Sequence, residues 1–268
     1  MPSQVDLYDS AYAGLEHDLY RQIRTETYGQ DLGQTSWVTT DESNFIPALL
    51  NLSAGSNVLE IGCGSGFYAL HLVRRVGCRL TGLDINPHGV ATATQLAAAA
   101  GLDRLAKFQQ CDASQPLAFP NAHFDAAFAN DALCHIPERP SLLKELFRVL
   151  RPGARLLFSD ALIIGGLISH TELATRSSIG PYFFSPAGEN ERLLAAAGFT
   201  LISATDTSDQ AAAIAERWHA ARERRREDVV LLEGSDRYDG LQRFLACVHA
   251  LTSERRLLRH LYLAEKPR

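Results

Sequence analysis

NVLEIGCGSGFYALHLV, residues 57–73, places three glycines, Gly62, Gly64 and Gly66, within five positions and an acidic residue, Glu60, two places ahead of the first. The residues before the glycines are strand-like, and those after them repeat apolar side chains at helical spacing. A glycine-rich turn between a strand and a helix lets the backbone approach a ligand closely. The spacing here is GxGxG, not the GxGxxG of dinucleotide sites, and by itself it does not choose a ligand.

The pattern continues on both sides. CRLTGLD reads as a strand and PHGVATATQLAAAAG as a helix, with Pro87 in its first turn and Gly101 at its stop. AKFQQC, HFDAAFAN and ARLLFSD read as further strands, with the helix PSLLKELFRVL ahead of the last of them. SPAGENERLLAAAGF and TLISATD add a helix and a sixth strand. This alternation predicts βαβ crossovers, and so an α/β fold with a doubly wound, mostly parallel sheet. After Asp206, SDQAAAIAERWHAARERRREDVVLLEG and DRYDGLQRFLACVHALTS predict two long helices, and RRLLRHLYLAEKP a seventh strand at the sheet edge. Ahead of the sheet, DLYDSAYAGLEHDLYRQI and NFIPALLNL predict helices. The expected organisation is a helical cap over residues 1–45, a core over 46–206 with a lid at 161–185, a helical insertion over 207–255, and the final edge strand within 256–268.

Three acids suggest the ligand. Asp84 closes the second strand about twenty residues beyond the glycine turn, where a carboxylate binds a ribose diol. Asp112, in CDA after the third strand, is placed to accept from an adenine amino group. Each acid alone reads as a cap or turn residue, and for a lone Asp that reading is favoured, but in register they specify an adenosine-type ligand. Glu60 then separates the candidates: it would repel a pyrophosphate and attract an ammonium. S-adenosylmethionine has a cationic amino-acid end and no phosphate, so it is preferred over NAD.

VLEIGCGSG, LTGLD, CDA, FDAAFANDALCHI and LFRVLRPGARLLFSD together resemble the ordered motifs of the class I S-adenosylmethionine-dependent methyltransferases, over about residues 57–160. Within that class the chain is similar to small-molecule methyltransferases of the phosphoethanolamine, dimethylglycine and sterol type. The resemblance implies a Rossmann-like seven-stranded sheet, S-adenosyl-L-methionine as cofactor and S-adenosyl-L-homocysteine as its product. It implies cofactor contacts from Glu60 to the methionine amino group and from the turn glycines Gly62, Gly64 and Gly66. Asp84 with neighbouring Ile85 would hold the ribose, Asp112 with the Ala113 amide the adenine, and Asn130 the methionine moiety. Ser36, in GQTSW, matches a cap motif that touches the cofactor carboxylate.

Methyl transfer from a sulfonium needs the nucleophile held in line and water excluded. Asp131 and His135 in NDALCHI are four apart and would share one face of a helix. By resemblance, His135 is the general base, and Asp131 a substrate partner and orienter of the imidazole. The alternative is a helix-end histidine whose hydrogen bond is already satisfied. Of the cap tyrosines Tyr8, Tyr12 and Tyr28, Tyr12 is the expected catalytic one. In the lid, ISHTELATRSSIGPYFFSP, the expected substrate contacts are His170, Arg176 and Tyr182, and its aromatic residues either line a pocket or cage an ammonium. Gly180 and Pro181, where phosphobase enzymes carry basic residues, argue against a phosphorylated amine. The favoured acceptor is an amine nitrogen of a small metabolite. Transfer to oxygen or carbon of an apolar or natural-product acceptor is the alternative, and a non-catalytic cofactor-binding module is a reading of another class.

Composition sets outer bounds. At 268 residues with 46% hydrophobic and 21% charged residues, the chain has ordinary globular composition. A formal net charge of −5 disfavours nucleic acid or an anionic membrane as partner. RERRRE, residues 222–227, reads as a solvated helix face with acids interleaved. The N-terminus lacks a basic segment followed by an apolar one, and five scattered cysteines form no CxxC pair, so a soluble cytoplasmic protein is expected. No ligand-spaced cluster points to a metal. The two late helices are expected to form a homodimer surface or to cover the active site.

Overall fold

The computed structural model describes residues 14–268. Tyr8 and the expected catalytic Tyr12 lie outside the described residues. The cap contains α1 (Asp18–Tyr28), which ends where Gly29 turns left-handed and donates to the Thr25 carbonyl, and α2 (Thr40–Leu49). β1 (Asn57–Ile61), β2 (Arg79–Asp84), β3 (Ala106–Gln110), β4 (Phe124–Ala129) and β5 (Leu150–Ile164) form the parallel part of the sheet, in the order β3-β2-β1-β4-β5. α3 (Phe67–Val76), α4 (Pro87–Ala99) and α5 (Arg139–Val149) are the crossovers.

The opening stretch folds as its pattern predicts. Gly66 sits left-handed at the N-cap of α3, which buries Ala69, Leu70, Leu72 and Val73 and stops at left-handed Gly77. Each large apolar side chain buried this way contributes roughly 1.5–3 kcal/mol. Val58 and Leu80 of the central strands join the same apolar layer, while Leu59 and Ile61 face the layer under α5.

Beyond β5 lie α6 (His170–Arg176), a two-residue strand β6 (Ser185–Pro186) beside β5, α7 (Glu189–Ala197) and β7 (Thr200–Asp206). The insertion is three helices, not two: α8 (Ser208–Glu223), α9 (Arg226–Glu233) and α10 (Ser235–Ser253). The expected long helix breaks at Arg224 and Arg225. Arg222 and Glu233, both 2% exposed, form two hydrogen bonds of 3.0 and 2.8 Å. In one straight helix residues eleven apart would stand roughly 16 Å from each other. Folding back satisfies both buried charges. The RERRRE segment is therefore no solvated face alone. Arg222 is internal, while Arg224 and Arg225 both pair with Glu26 of α1.

β8 (Leu257–Glu265) corrects the expectation of a final edge strand. It runs antiparallel between β5 and β7, and β7 is the edge. Composition explains the order. TLISATD of β7 is exposed throughout, whereas β8 buries Leu257, Arg259, Tyr262, Leu263 and Ala264. No helix among the described residues is long and apolar enough to cross a membrane.

Candidate active site

A cavity of about 740 Å³ opens at the carboxyl ends of β1, β2 and β4 and is roofed by the cap, the lid and Trp218 of α8. This is where open α/β sheets bind ligands, and the volume is within the ~300–1,000 Å³ usual for small-molecule sites.

The floor is built by the glycine turn. Gly62 has φ +74°, and a Cβ there would stand 2.4 Å from the Ala132 Cβ. Only glycine lets β1 and the loop after β4 approach so closely. The Gly64 amide donates to Asp84 Oδ2 at 2.7 Å, and the Asn86 amide donates to Oδ1 at 2.8 Å. Asp84 thus ties the turn to the start of α4 while facing the cavity. Burial raises its pKa, with these amide bonds opposing. Ile85, exposed at 65%, forms the rim beside it. Asp112 stands at the mouth with Oδ1 accepting from the Ser114 amide and hydroxyl, and those bonds hold its pKa low. Ala113, Asn130 and Ser36 also line the wall.

Glu60, Gly64 and Gly66 are not on that wall. Glu60 is 3% exposed beneath the turn, and its Oε2 has no hydrogen-bond partner. Burial first, and the nearby Asp84 charge second, raise its pKa to about 8. A buried acceptor without a donor is costly, and a cationic donor entering the glycine turn would relieve it. The residues present therefore fit a ligand with an adenosine end toward Asp84 and Asp112 and an ammonium end toward Glu60.

Asp131 is on the wall, but it does not orient His135 as expected. It is left-handed (φ +51°), and only a three-residue 3-10 turn, Leu133–His135, follows it. Asp131 and His135 therefore do not share a helix face. Asp131 Oδ2 accepts from the Trp37 amide, and Oδ1 accepts from Arg259 Nε, both at 2.9 Å. Arg259, fully buried on β8, also grips both Glu42 oxygens of α2 at 2.9 Å and the Thr207 hydroxyl at 2.7 Å. The two carboxylates raise its pKa against the effect of burial. Asp131 is thus the bolt between cap and core. A charged residue inside the apolar run of β8 was the sequence signal for this network.

His135 does face the cavity. Its Nδ1 lies 3.0 Å from the Pro181 carbonyl, and its ring is 4.5 Å from that of Tyr182. A carbonyl only accepts, so Nδ1 carries the proton of the neutral ring and Nε2 is the basic nitrogen. Burial lowers the pKa, which keeps the ring neutral near pH 7. Pro181, not Asp131, orients the imidazole.

Of the three expected lid contacts, Arg176 and Tyr182 line the cavity; His170 does not. His170 opens α6, where the Ser169–Glu172 capping box leaves it exposed. Tyr28 is buried and donates to the Ser36 carbonyl at 2.7 Å, shaping the cap segment. Trp37, Trp218 and Ile179 also line the wall and were not singled out in the sequence, where bulky apolar residues look the same in a core as in a pocket. Among the described residues no group of three or more His, Cys, Asp or Glu is placed to hold a metal ion.

Residues 59–158 match a family model described as a methyltransferase domain. The 27-O-demethylrifamycin SV methyltransferase of Amycolatopsis mediterranei is 30% identical over 73% of this chain and 76% of its own length. Phosphoethanolamine N-methyltransferase 1 of Zea mays is 28% identical over 72% of this chain, which spans 38% of the maize protein's length. Among solved structures, a Haemonchus contortus phosphoethanolamine N-methyltransferase, in complex with phosphomonomethylethanolamine and S-adenosylhomocysteine, superposes with a TM-score of 0.82. It has 19% identity and covers 98% of this chain and 61% of that one.

Proposed function

This chain belongs to the class I S-adenosylmethionine-dependent methyltransferases, and within that class we propose that it methylates a hydroxyl oxygen of a small molecule. The sequence alone favoured an amine nitrogen, and the relatives carry names for both kinds of transfer. The observation that favours oxygen is the fate of the aromatic faces. Arg176 lies 4.5 Å from the ring of Tyr182, 5.1 Å from Phe244 and 5.9 Å from Trp37. Those rings already carry a cation of the protein, so they make no cage for an ammonium.

When bound, S-adenosylmethionine supplies an electrophilic methyl group on a sulfonium. The chain does the rest. Asp84, Asp112 and the Ala113 amide would hold the adenosine end, and Asn130, Ser36 and Glu60 the amino-acid end. His135 Nε2 would take the proton of the acceptor hydroxyl, leaving that oxygen free to receive the methyl group the bound donor would supply. Pro181 keeps the ring in the productive tautomer. Trp37, Ile179, Tyr182 and Trp218 exclude water, which would compete as nucleophile.

Incubation with methyl-labelled S-adenosylmethionine and a metabolite extract, followed by mass spectrometry, tests this reading. Label on a hydroxyl-derived oxygen supports it. Label only on nitrogen would replace it with the amine reading, and no label on any metabolite would favour a binding module.

A further inference from the structure

Arg176 has no partner that explains it. It is 1% exposed, no carboxylate pairs with it among the described residues, and its Nη1 is buried without a hydrogen bond. Other buried arginines here are matched: Arg139 binds Asp160, Arg222 binds Glu233, and Arg259 binds Asp131 and Glu42. A buried guanidinium is ordinarily paired and hydrogen-bonded, because its desolvation is otherwise uncompensated. The nearby carboxylates do not release a partner. Both Asp131 oxygens are occupied, and Asp160 Oδ2 is held by Arg139 and Asn190 while Oδ1 accepts from Leu162. The three aromatic rings hold the guanidinium at the cavity wall by cation–π contact.

We propose that Arg176 is the counter-ion for an anionic group on the methyl acceptor, so that the enzyme acts on an organic acid. This rests on the small-molecule methyltransferase reading above and deepens it. Three features agree. The guanidinium presents a planar fork suited to a carboxylate or an ionised acidic hydroxyl. The sulfonium donor adds a second positive charge to the same enclosed space, which repels a cationic acceptor and attracts an anionic one. Arg176 shares the cavity wall with His135, so an acid held on the fork stands beside the base.

The test uses binding, so that it stands apart from turnover. Protein loaded with S-adenosylhomocysteine is titrated with 4-hydroxybenzoate and with its uncharged analogue 4-hydroxybenzamide, by calorimetry. The wild type is expected to bind the acid at least ~10-fold more tightly, as a charge-assisted bidentate contact gives. Arg176→Met should abolish that preference, Arg176→Lys should keep part of it, and both should leave S-adenosylhomocysteine affinity within about twofold. A wild type that binds the acid no better than the amide overturns the proposal. So does Arg176→Met weakening S-adenosylhomocysteine while the acid-to-amide ratio is unchanged, because the arginine would then serve the cofactor's carboxylate. Failure of methyl transfer with an intact acid preference would instead count against the enzymatic reading.

Discussion

Glu60→Gln should change how stability depends on pH, with a magnitude set by where the carboxyl is buried. In the folded protein its pKa rises from 4.5 to about 8, because burial penalises the carboxylate and Asp84 adds a like charge. Below the unfolded value both states hold the proton. Between 4.5 and about 8 only the folded state holds it, so raising the pH favours unfolding. Each pH unit in that window is worth about 1.4 kcal/mol. From pH 5 to pH 8 the ligand-free wild type should therefore lose up to about 4 kcal/mol through this one group. Glutamine cannot ionise, and any fixed penalty from its amide cancels when the two pH values are compared. Urea unfolding of both proteins at pH 5, 6, 7 and 8 measures the difference directly. The variant's advantage should grow steadily across the series. Part of the slope will remain in the variant, since burial also raises the Asp84 pKa. Two curves that run parallel from pH 5 to pH 8 would refute the assignment of Glu60 as a protonated, desolvated acid.

Other outcomes follow from the same contacts. Arg259→Met strands Glu42 and Asp131 as buried charges and should cost about 3–5 kcal/mol in urea unfolding; adding Glu42→Gln and Asp131→Asn should restore more than half, and a loss below about 1 kcal/mol would remove the network from the account. His135→Ala should lower kcat about 10²–10⁴-fold with S-adenosylhomocysteine affinity unchanged. In the wild type the neutral ring is the active form, so activity should rise with pH along a limb centred below 6.5, and that limb should vanish in the variant. Gly62→Ala combines a left-handed backbone with a 2.4 Å contact to Ala132 and should cost about 2–5 kcal/mol. At Gly101, also left-handed but with nothing within 4 Å, the same change should cost only about 1–2 kcal/mol, as calorimetric melting would show.

Local pattern made much of this molecule legible. The glycine turn, the helix after it and β7 fall where their residues predict, because short-range periodicity and left-handed glycines are properties of neighbouring residues. Asp84, Asp112 and Asn130 reach the cavity because strand ends in a parallel sheet converge on one edge. What sequence hid was long-range pairing. Nothing near Asp131 in sequence reveals that Arg259, 128 residues away, donates to its oxygen. His135 is oriented by a main-chain carbonyl 46 residues on, which no side-chain pattern reveals. The place of β8 inside the sheet depended on comparing the apolar content of two strands. The break after α8 depended on Arg222 finding Glu233.

Glu60, buried as an acid under the glycine turn, is proposed to meet the ammonium end of the cofactor. Calorimetric titration of S-adenosylhomocysteine at pH 6.5, in buffers of different ionisation enthalpy, addresses it most directly. Binding should release about one proton as the acid ionises against its new partner, with no such release in Glu60→Gln and no binding of NAD. Tight NAD binding, or the same proton exchange in wild type and variant, would contradict it.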